Sequence, residues 1–190
     1  MYRVFAGFEV PEVVVPIADH IDTLVVRHGG PVVRRKHPLH VTVMAPRAVR
    51  ECERRKLEEF TRDFNTDYGN VPCRIDALEC HEHRRKKFFV ADLVGQQLND
   101  SIDHFHAELA RQFSWTRGQY EGTKPHITLI SSRHTRGHQV FERVVDVARA
   151  IEIPRELITL PRLVLHVRKE GPKQPPTPVA QEEPHEGWRP

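Results

Sequence analysis

Two short apolar segments of this chain carry the same polar interruption. Residues 39–45, LHVTVMA, place His40 two positions before Thr42. Residues 125–130, PHITLI, place His126 two positions before Thr128. Short runs rich in Val, Ile and Leu read as strands, and along a strand residues i and i+2 share one face. His40 and Thr42 therefore project together, while Val41 and Val43 project the other way. Ile127 and Leu129 oppose His126 and Thr128 in the same manner. Each segment is constrained to bury one face and to present an imidazole and a hydroxyl on the other. Set side by side, the two strands offer two imidazoles and two hydroxyls to one cleft.

The rest of the chain supplies elements to hold such strands. Residues 2–10 read as a strand that Pro11 ends. Residues 12–28 have Val14, Ile17, Ile21, Leu24 and Val25 at helical spacing. Pro16 suits a first turn, so that helix is expected to start near Val15 and to stop at Gly29-Gly30-Pro31. Residues 51–64 form a charged helix with Leu57, Phe60 and Phe64 on one side. Residues 71–82 and 88–94 flank a basic turn as a β-hairpin, and 98–113 read as an amphipathic helix. A loop over 115–125 leads to the strand 126–131, a helix follows over 137–151, and 158–169 is the last strand, interrupted or offset by Pro161. From Gly171 the chain is proline-rich and poor in apolar residues, a tail over 171–190 in which Trp188 stands nearly alone. This order predicts an α+β fold forming one domain over residues 1–170. Each His-x-Thr strand follows a helix and a loop, one in each half of the chain, which is the pattern of an internal duplication.

Composition narrows the function classes. No apolar run approaches the roughly 20 residues a membrane helix needs, and the opening YRVFAGFEVP lacks the layout of a secretion signal. Three cysteines at irregular spacing argue for a reducing compartment, and a cytoplasmic protein is expected. A formal net charge of +3 permits an anionic ligand without demanding one. Thirteen histidines invite a metal. CHEHRRKK at 80–87, however, has no second ligand pair at finger-like spacing and reads as a polar hairpin turn.

Imidazole is the side chain that gives or takes a proton near neutrality, so two of them, one neutral and one protonated, make a general base and a general acid. Threonine hydroxyls are neutral donors that can hold non-bridging phosphate oxygens. The set suits in-line phosphoryl transfer and requires no metal or other cofactor. Arg34, Arg35, Lys36 and Lys124 would add positive field. Metal binding through the two histidines is the weaker reading, because neither strand supplies an acidic third ligand at neighbouring positions.

At these residues the chain resembles the 2H phosphoesterase superfamily, in its LigT-like branch of RNA 2′,3′-cyclic phosphodiesterases and 2′-5′ RNA ligases. YRVFAGFEVP as opening strand, LHVTV and KPHITLI as the two motifs, and LPRLVLHVRKEGP as last strand carry the resemblance. It implies two pseudo-symmetric lobes, each with an antiparallel sheet flanked by helices, facing across a central groove. It also implies His40 and His126 as the acid–base pair, in either assignment, with Thr42 and Thr128 as phosphate donors. The partners it implies are RNA ends or small cyclic or 2′-5′-linked nucleotides, with no membrane, and a monomer is the default. Relatives often carry a base shortly after motif two. Here Ser131 and Ser132 come first, so Arg133 from a shifted position or Ser131 as a neutral donor takes that place. Tyr120 is the first choice for stacking on a nucleobase, and Lys124 and Arg35 are further substrate-binding candidates. Phe5 and Phe8 lie on opposite faces of the opening strand, so one of them can approach the groove. The alternative is an RNA-binding module with weak or no catalysis, motivated by the basic patches 34–36 and 84–87.

Overall fold

Seven strands and four helices make up the described residues, 1–35, 37–83, 85–115 and 124–170, of the computed structural model. Strand β1 (Tyr2–Glu9) passes through a 3-10 turn (Glu12–Val14) into α1 (Val15–Arg27), β2 (His40–Val49) and α2 (Glu51–Tyr68). Strands β3 (Val71–His83) and β4 (Lys86–Val94) form the expected hairpin. Helix α3 (Gln96–Phe113) leads to β5 (His126–Ser131), and α4 (His138–Ala148) precedes β6 (Ile158–Leu160) and β7 (Leu163–Lys169). Pro16 sits in the first turn of α1, where its missing N–H has no helical partner to lose. Leu98, Ile102, Phe105 and Leu109 form the buried stripe of α3. No helix among the described residues is long and apolar enough to cross a membrane. Lys36, Arg84, Tyr120 and the tail 171–190 with Trp188 lie outside the described residues.

The strands form one sheet in the order β6-β3-β4-β5-β2-β1-β7, and every neighbouring pair is antiparallel. The fold is α+β, as expected, and its two lobes are the two halves of this sheet. One lobe is β7-β1-β2; the other is β5-β4-β3-β6. The order β1-α1-β2 in the first repeats as β4-α3-β5 in the second, with the same antiparallel pairing of the two strands. The helices pack in matching pairs, α1 with α4 and α2 with α3.

The lobes meet where β2 faces β5, through the partner pair Val41 and Ile127, both fully buried. Two residues beyond that pair, side chains take over the carbonyls. His106 of α3 donates from Nε2 to the carbonyl of Val43 at 2.9 Å. Arg35 donates to the carbonyl of Leu129 at 2.8 Å. Val43 and Leu129 occupy equivalent positions in the two motif strands, and both are buried. A buried carbonyl left without a donor is costly, and here each lobe covers the other's.

Residues 158–169, expected as one interrupted strand, are two strands on opposite edges of the sheet: β6 pairs with β3, and β7 pairs with β1. Pro161 and Arg162 make the crossing. Their carbonyls accept from the backbone N–H groups of Asn70 at 3.0 Å and Glu9 at 2.9 Å. Three residue steps span at most roughly 11 Å, so the sheet curls until its two edges approach each other. The side chain of Asn65 on α2 fixes the far end of the crossing. Its Nδ2 donates to the Leu163 carbonyl at 2.8 Å, and its Oδ1 accepts from the Leu163 N–H at 2.7 Å. One amide thus supplies both bonds that a neighbouring strand would have made to a buried residue. Asn65→Ala is expected to lose about 1–3 kcal/mol through these two unsatisfied groups, read as a lower urea midpoint at unchanged slope. Unaltered stability would remove Asn65 from this role.

Candidate active site

The register Val41–Ile127 decides which motif residues meet. Continued by one residue either way along antiparallel strands, it sets His40 across from Thr128 and Thr42 across from His126. Each histidine is thus paired with the threonine of the other lobe. His40 and Thr128 indeed line one cavity of about 400 Å³. His40, His126 and Thr128 are half-buried and Thr42 is exposed, whereas Val41, Val43, Ile127 and Leu129 are buried, so the alternation expected from the sequence is realised on both strands.

Both imidazoles are held by the same device. Nδ1 of His40 lies 2.9 Å from the carbonyl of Pro38, and Nδ1 of His126 lies 3.0 Å from the carbonyl of Lys124. In each case the carbonyl belongs to the residue two positions earlier, in the proline-containing approach to the strand. A carbonyl oxygen only accepts, so Nδ1 carries the hydrogen in both rings and Nε2 is the free nitrogen. Burial, the largest effect, lowers the pKa of both histidines below the ordinary value, and the bonds to Pro38 and Lys124 oppose that shift. Both rings are therefore biased toward the neutral form, with an Nε2 lone pair available.

The surroundings of the two rings differ. His40 stands among rings: Phe5 at 5.0 Å and His166 at 5.8 Å between centroids, with Phe5 stacked on His166 at 4.3 Å and His37 edge-on to Phe5. Phe5 is the opening-strand aromatic that reaches the groove; Phe8 is fully buried. A cavity of about 280 Å³ lies over this cluster, with Arg3 and Arg168 on its walls. Gly7 of β1, paired with Thr42, lets His40 lie close. A Cβ there would stand 2.9 Å from the Val41 carbonyl and 3.1 Å from the His40 ring. His126 instead stands beside Asp92, its strand partner on β4, and 5.1 Å edge-on from His81. Asp92 is completely buried, 3.0 Å from Lys124 Nζ and 3.2 Å from His81 Nε2.

The remaining sequence candidates fall around this groove in different ways. Arg133 is exposed and lines the cavity with Thr128, next to His134, whose pKa burial lowers. Arg35 lines the same cavity, but its guanidinium is ion-paired with Asp22 of α1 as well as bonded to Leu129. Lys124 is tied to Asp92 and, at 3.3 Å, to Asp76. Ser131 is buried, and its N–H donates to His134 Nδ1 at 3.3 Å. Sequence reasoning missed Asp92, His81, His166 and Gly7. The acid inside FFVADLV and the glycine inside FAGF were the available signals, because a lone carboxylate or glycine within a strand asks for a specific reason. A larger hollow of about 530 Å³ between α2 and α3 holds none of the motif residues, and Glu59, Asp63, Asp67 and Glu108 line it. That wall would repel a phosphate.

Two His-x-Thr strands meeting at the junction of two antiparallel lobes define a 2H-type phosphoesterase fold. The sequence matches the 2′-5′ RNA ligase superfamily over residues 13–172, and the chain belongs to that family. No curated protein sequence matches it. Among solved structures it is similar to Kluyveromyces marxianus Usb1 with uridine monophosphate, at 13% identity and a TM-score of 0.43, over 84% of this chain and 97% of that one. Kluyveromyces marxianus Usb1 in a second structure gives 13% identity and a TM-score of 0.41 over the same shares.

His40, His126, His134 and His166 all have pKa values lowered by burial first. The unfolded chain therefore binds more protons than the folded one just below the ordinary histidine value of about 6.5, and stability rises with pH there. Melting temperature is expected to fall as pH drops from about 7 toward 5. In the double variant His40→Ala/His126→Ala the fall should be shallower. Equal slopes in the two proteins would show that burial of these rings does not depress their pKa.

Proposed function

We propose that the chain is a metal-independent phosphodiesterase acting on 2′,3′-cyclic phosphate RNA ends or on 2′-5′-linked or cyclic nucleotides. The observation that carries this reading is the matched pair of Nδ1–carbonyl bonds. They leave Nε2 of each ring for chemistry, and the Val41–Ile127 register sets each motif histidine across from the threonine of the opposite lobe. In the proposed reaction Nε2 of one neutral histidine takes a proton from water, and the water oxygen forms a bond to phosphorus. The bond from phosphorus to a ribose oxygen breaks, and the other histidine, protonated on Nε2, gives that oxygen its proton. Thr42 and Thr128 donate to the non-bridging oxygens, whose charge grows as the new bond forms. Arg133 supplies a cation from the cavity wall, and Phe5 with His166 offers a flat apolar surface for a nucleobase.

The neighbours divide the two roles. His81 disfavours a proton on His126 and Asp92 favours one, whereas His37 and His126 itself disfavour one on His40 and, among the described residues, no carboxylate opposes them there. Because a buried carboxylate stands across from His126, we take His126 as the general acid and His40 as the base. The reading carries with it one bilobal unit over residues 1–170, a separate tail over 171–190, and a monomer. A reducing, cytoplasmic setting goes with the free thiols of Cys52, Cys73 and Cys80.

A panel of 2′,3′-cyclic mononucleotides, cyclic-phosphate-ended RNA, 2′-5′ oligonucleotides and cyclic dinucleotides tests the reaction, with the phosphate isomer left behind as readout. Turnover should survive chelator and follow a bell-shaped pH profile. Because both histidine pKa values are lowered, the bell should peak on the acid side of about 6.5. His40→Ala and His126→Ala should each lose on the order of 10²–10⁴-fold in kcat. Full activity in either single variant would sink the proposal. Salt-sensitive RNA binding with no turnover on any substrate would favour the binding-module reading instead.

A p-nitrophenyl phosphodiester, whose leaving group needs no proton, should restore His126→Ala far more than His40→Ala; the reverse order would exchange the two roles. Gly7→Ala, by pushing on the His40 ring, should lower kcat by about tenfold or more with little change in KM. Unchanged kcat would mean the ring can give way there without loss.

A further inference from the structure

The acid–base histidine of the second lobe belongs to a second constellation. His81, Asp92 and His126 come from three adjacent strands, β3, β4 and β5, and each offers one ligand atom within 4.8 Å of the others. Asp92 is fully buried, and neither carboxylate oxygen accepts a hydrogen bond. Lys124 Nζ at 3.0 Å and His81 Nε2 at 3.2 Å stand beside it without hydrogen-bond geometry. A buried carboxylate whose oxygens lack hydrogen bonds is costly to keep. Among the described residues only the partly exposed Lys124 ammonium offsets that cost, so a metal ion bonded directly to an oxygen would do so more fully. His126 already spends Nδ1 on the Lys124 carbonyl, so Nε2 is the atom it has left for such a cation.

We infer that His81, Asp92 and His126 form a binding site for a zinc-type transition-metal ion, and that the ion switches the proposed phosphodiesterase off by coordinating Nε2 of His126. Two imidazoles and one carboxylate suit zinc and its borderline neighbours rather than magnesium, which prefers oxygen ligands. Bonds of about 2.0–2.2 Å place tetrahedral ligands roughly 3.4 Å apart, so the widest pair must draw in by at most about 1.4 Å, while His81 Nε2 and Asp92 already stand 3.2 Å apart. His81 is partly exposed and is free to make most of that movement. Lys124 is the competitor. Its ammonium shares Asp92 with the site, is 40% exposed, and has Asp76 to move to. The inhibitory half of the inference rests on the proposed function; the binding half does not. The nitrogen that would hold the ion is the one the acid–base chemistry needs, so occupancy and turnover exclude each other.

Cobalt(II) titration of the full chain, followed by its visible d–d bands, reads binding without any assay of activity. The wild type and His40→Ala should each take up one equivalent. His81→Gln, Asp92→Asn and His126→Gln should each bind at least about tenfold more weakly. Lys124→Ala should bind more tightly, since it removes the competing charge. No binding by a folded wild type, or binding unchanged in all three ligand variants, overturns the site. If Asp92→Asn fails to fold, His81→Gln at a partly exposed position still decides. With a turned-over substrate, zinc should inhibit, chelator should restore activity, and His81→Gln should resist zinc. Tight cobalt binding together with undiminished turnover in saturating zinc overturns the switch. An inactive wild type that still binds cobalt overturns the proposed function alone.

Discussion

The contact between Val41 and Ile127 is the constraint on which the rest of the structure depends. It is the partner pair through which β2 and β5 join the two lobes, and it is fully dry. Strand pairing is quantised: a slip by one residue would turn every side chain of a motif strand to the opposite face. Val41, Val43, Ile127 and Leu129 resist such a slip because all four are buried. Hydrophobic burial on one face of the strands therefore sets the chemistry on the other. The crossed pairing of His40 with Thr128 and of His126 with Thr42 follows from the antiparallel register, not from any contact among the four side chains.

A junction this narrow leaves backbone groups without strand partners, and much of the chain's polar endowment goes to covering them. His106 and Arg35 cover Val43 and Leu129, and Asn65 covers both groups of Leu163. This accounts for residues that look functional in one dimension. Arg35 stands in a basic run before motif one, yet its fork is occupied by Asp22 and a carbonyl. His106 is buried on α3 and acts as a hydrogen-bond donor. The thirteen histidines are therefore not one population. His106 braces the fold, His104 stacks on Tyr68 at 4.5 Å beside the α2–α3 aromatic cluster, and His37, His40, His81, His126 and His166 gather along the groove.

Legibility in the sequence follows the range of the interaction. The alternation in LHVTV and HITLI is local, so the faces of His40, Thr42, His126 and Thr128 could be read directly. Periodicity likewise gave α1 to within a residue of its start at Val15. The partner switch at Pro161 could not be read, because it depends on Asn65, about 100 residues earlier, and on the curl of the whole sheet. His81 was equally hidden. It lies in a segment that reads as a hairpin arm, and only the order β3-β4-β5 brings it to His126. Asp92 was half-visible: an acid within an apolar strand signals a special environment, but not which residue supplies it.

The lobes are matched in topology and unmatched in chemistry. The same turn of backbone fixes Nδ1 of each motif histidine, so the two motif strands share one tautomer. What lies one strand further out is not duplicated. Outside β2, strand β1 presents Gly7 to His40, and Phe5 and His166 build an aromatic wall. Outside β5, strand β4 presents a buried carboxylate to His126, and β3 adds a further imidazole. The proposed general acid and general base need opposite proton occupancy at one pH, and unlike environments decide which ring takes which role. The symmetric part of the fold aligns the two nitrogens, and the asymmetric neighbours distinguish them. Among the described residues the same asymmetry places the metal-ligating cluster in the second lobe. Two imidazoles beside a dry carboxylate form a ligand set, whereas the carboxylate near the imidazoles of the first lobe, Glu9, is half-buried and ion-paired with Arg162.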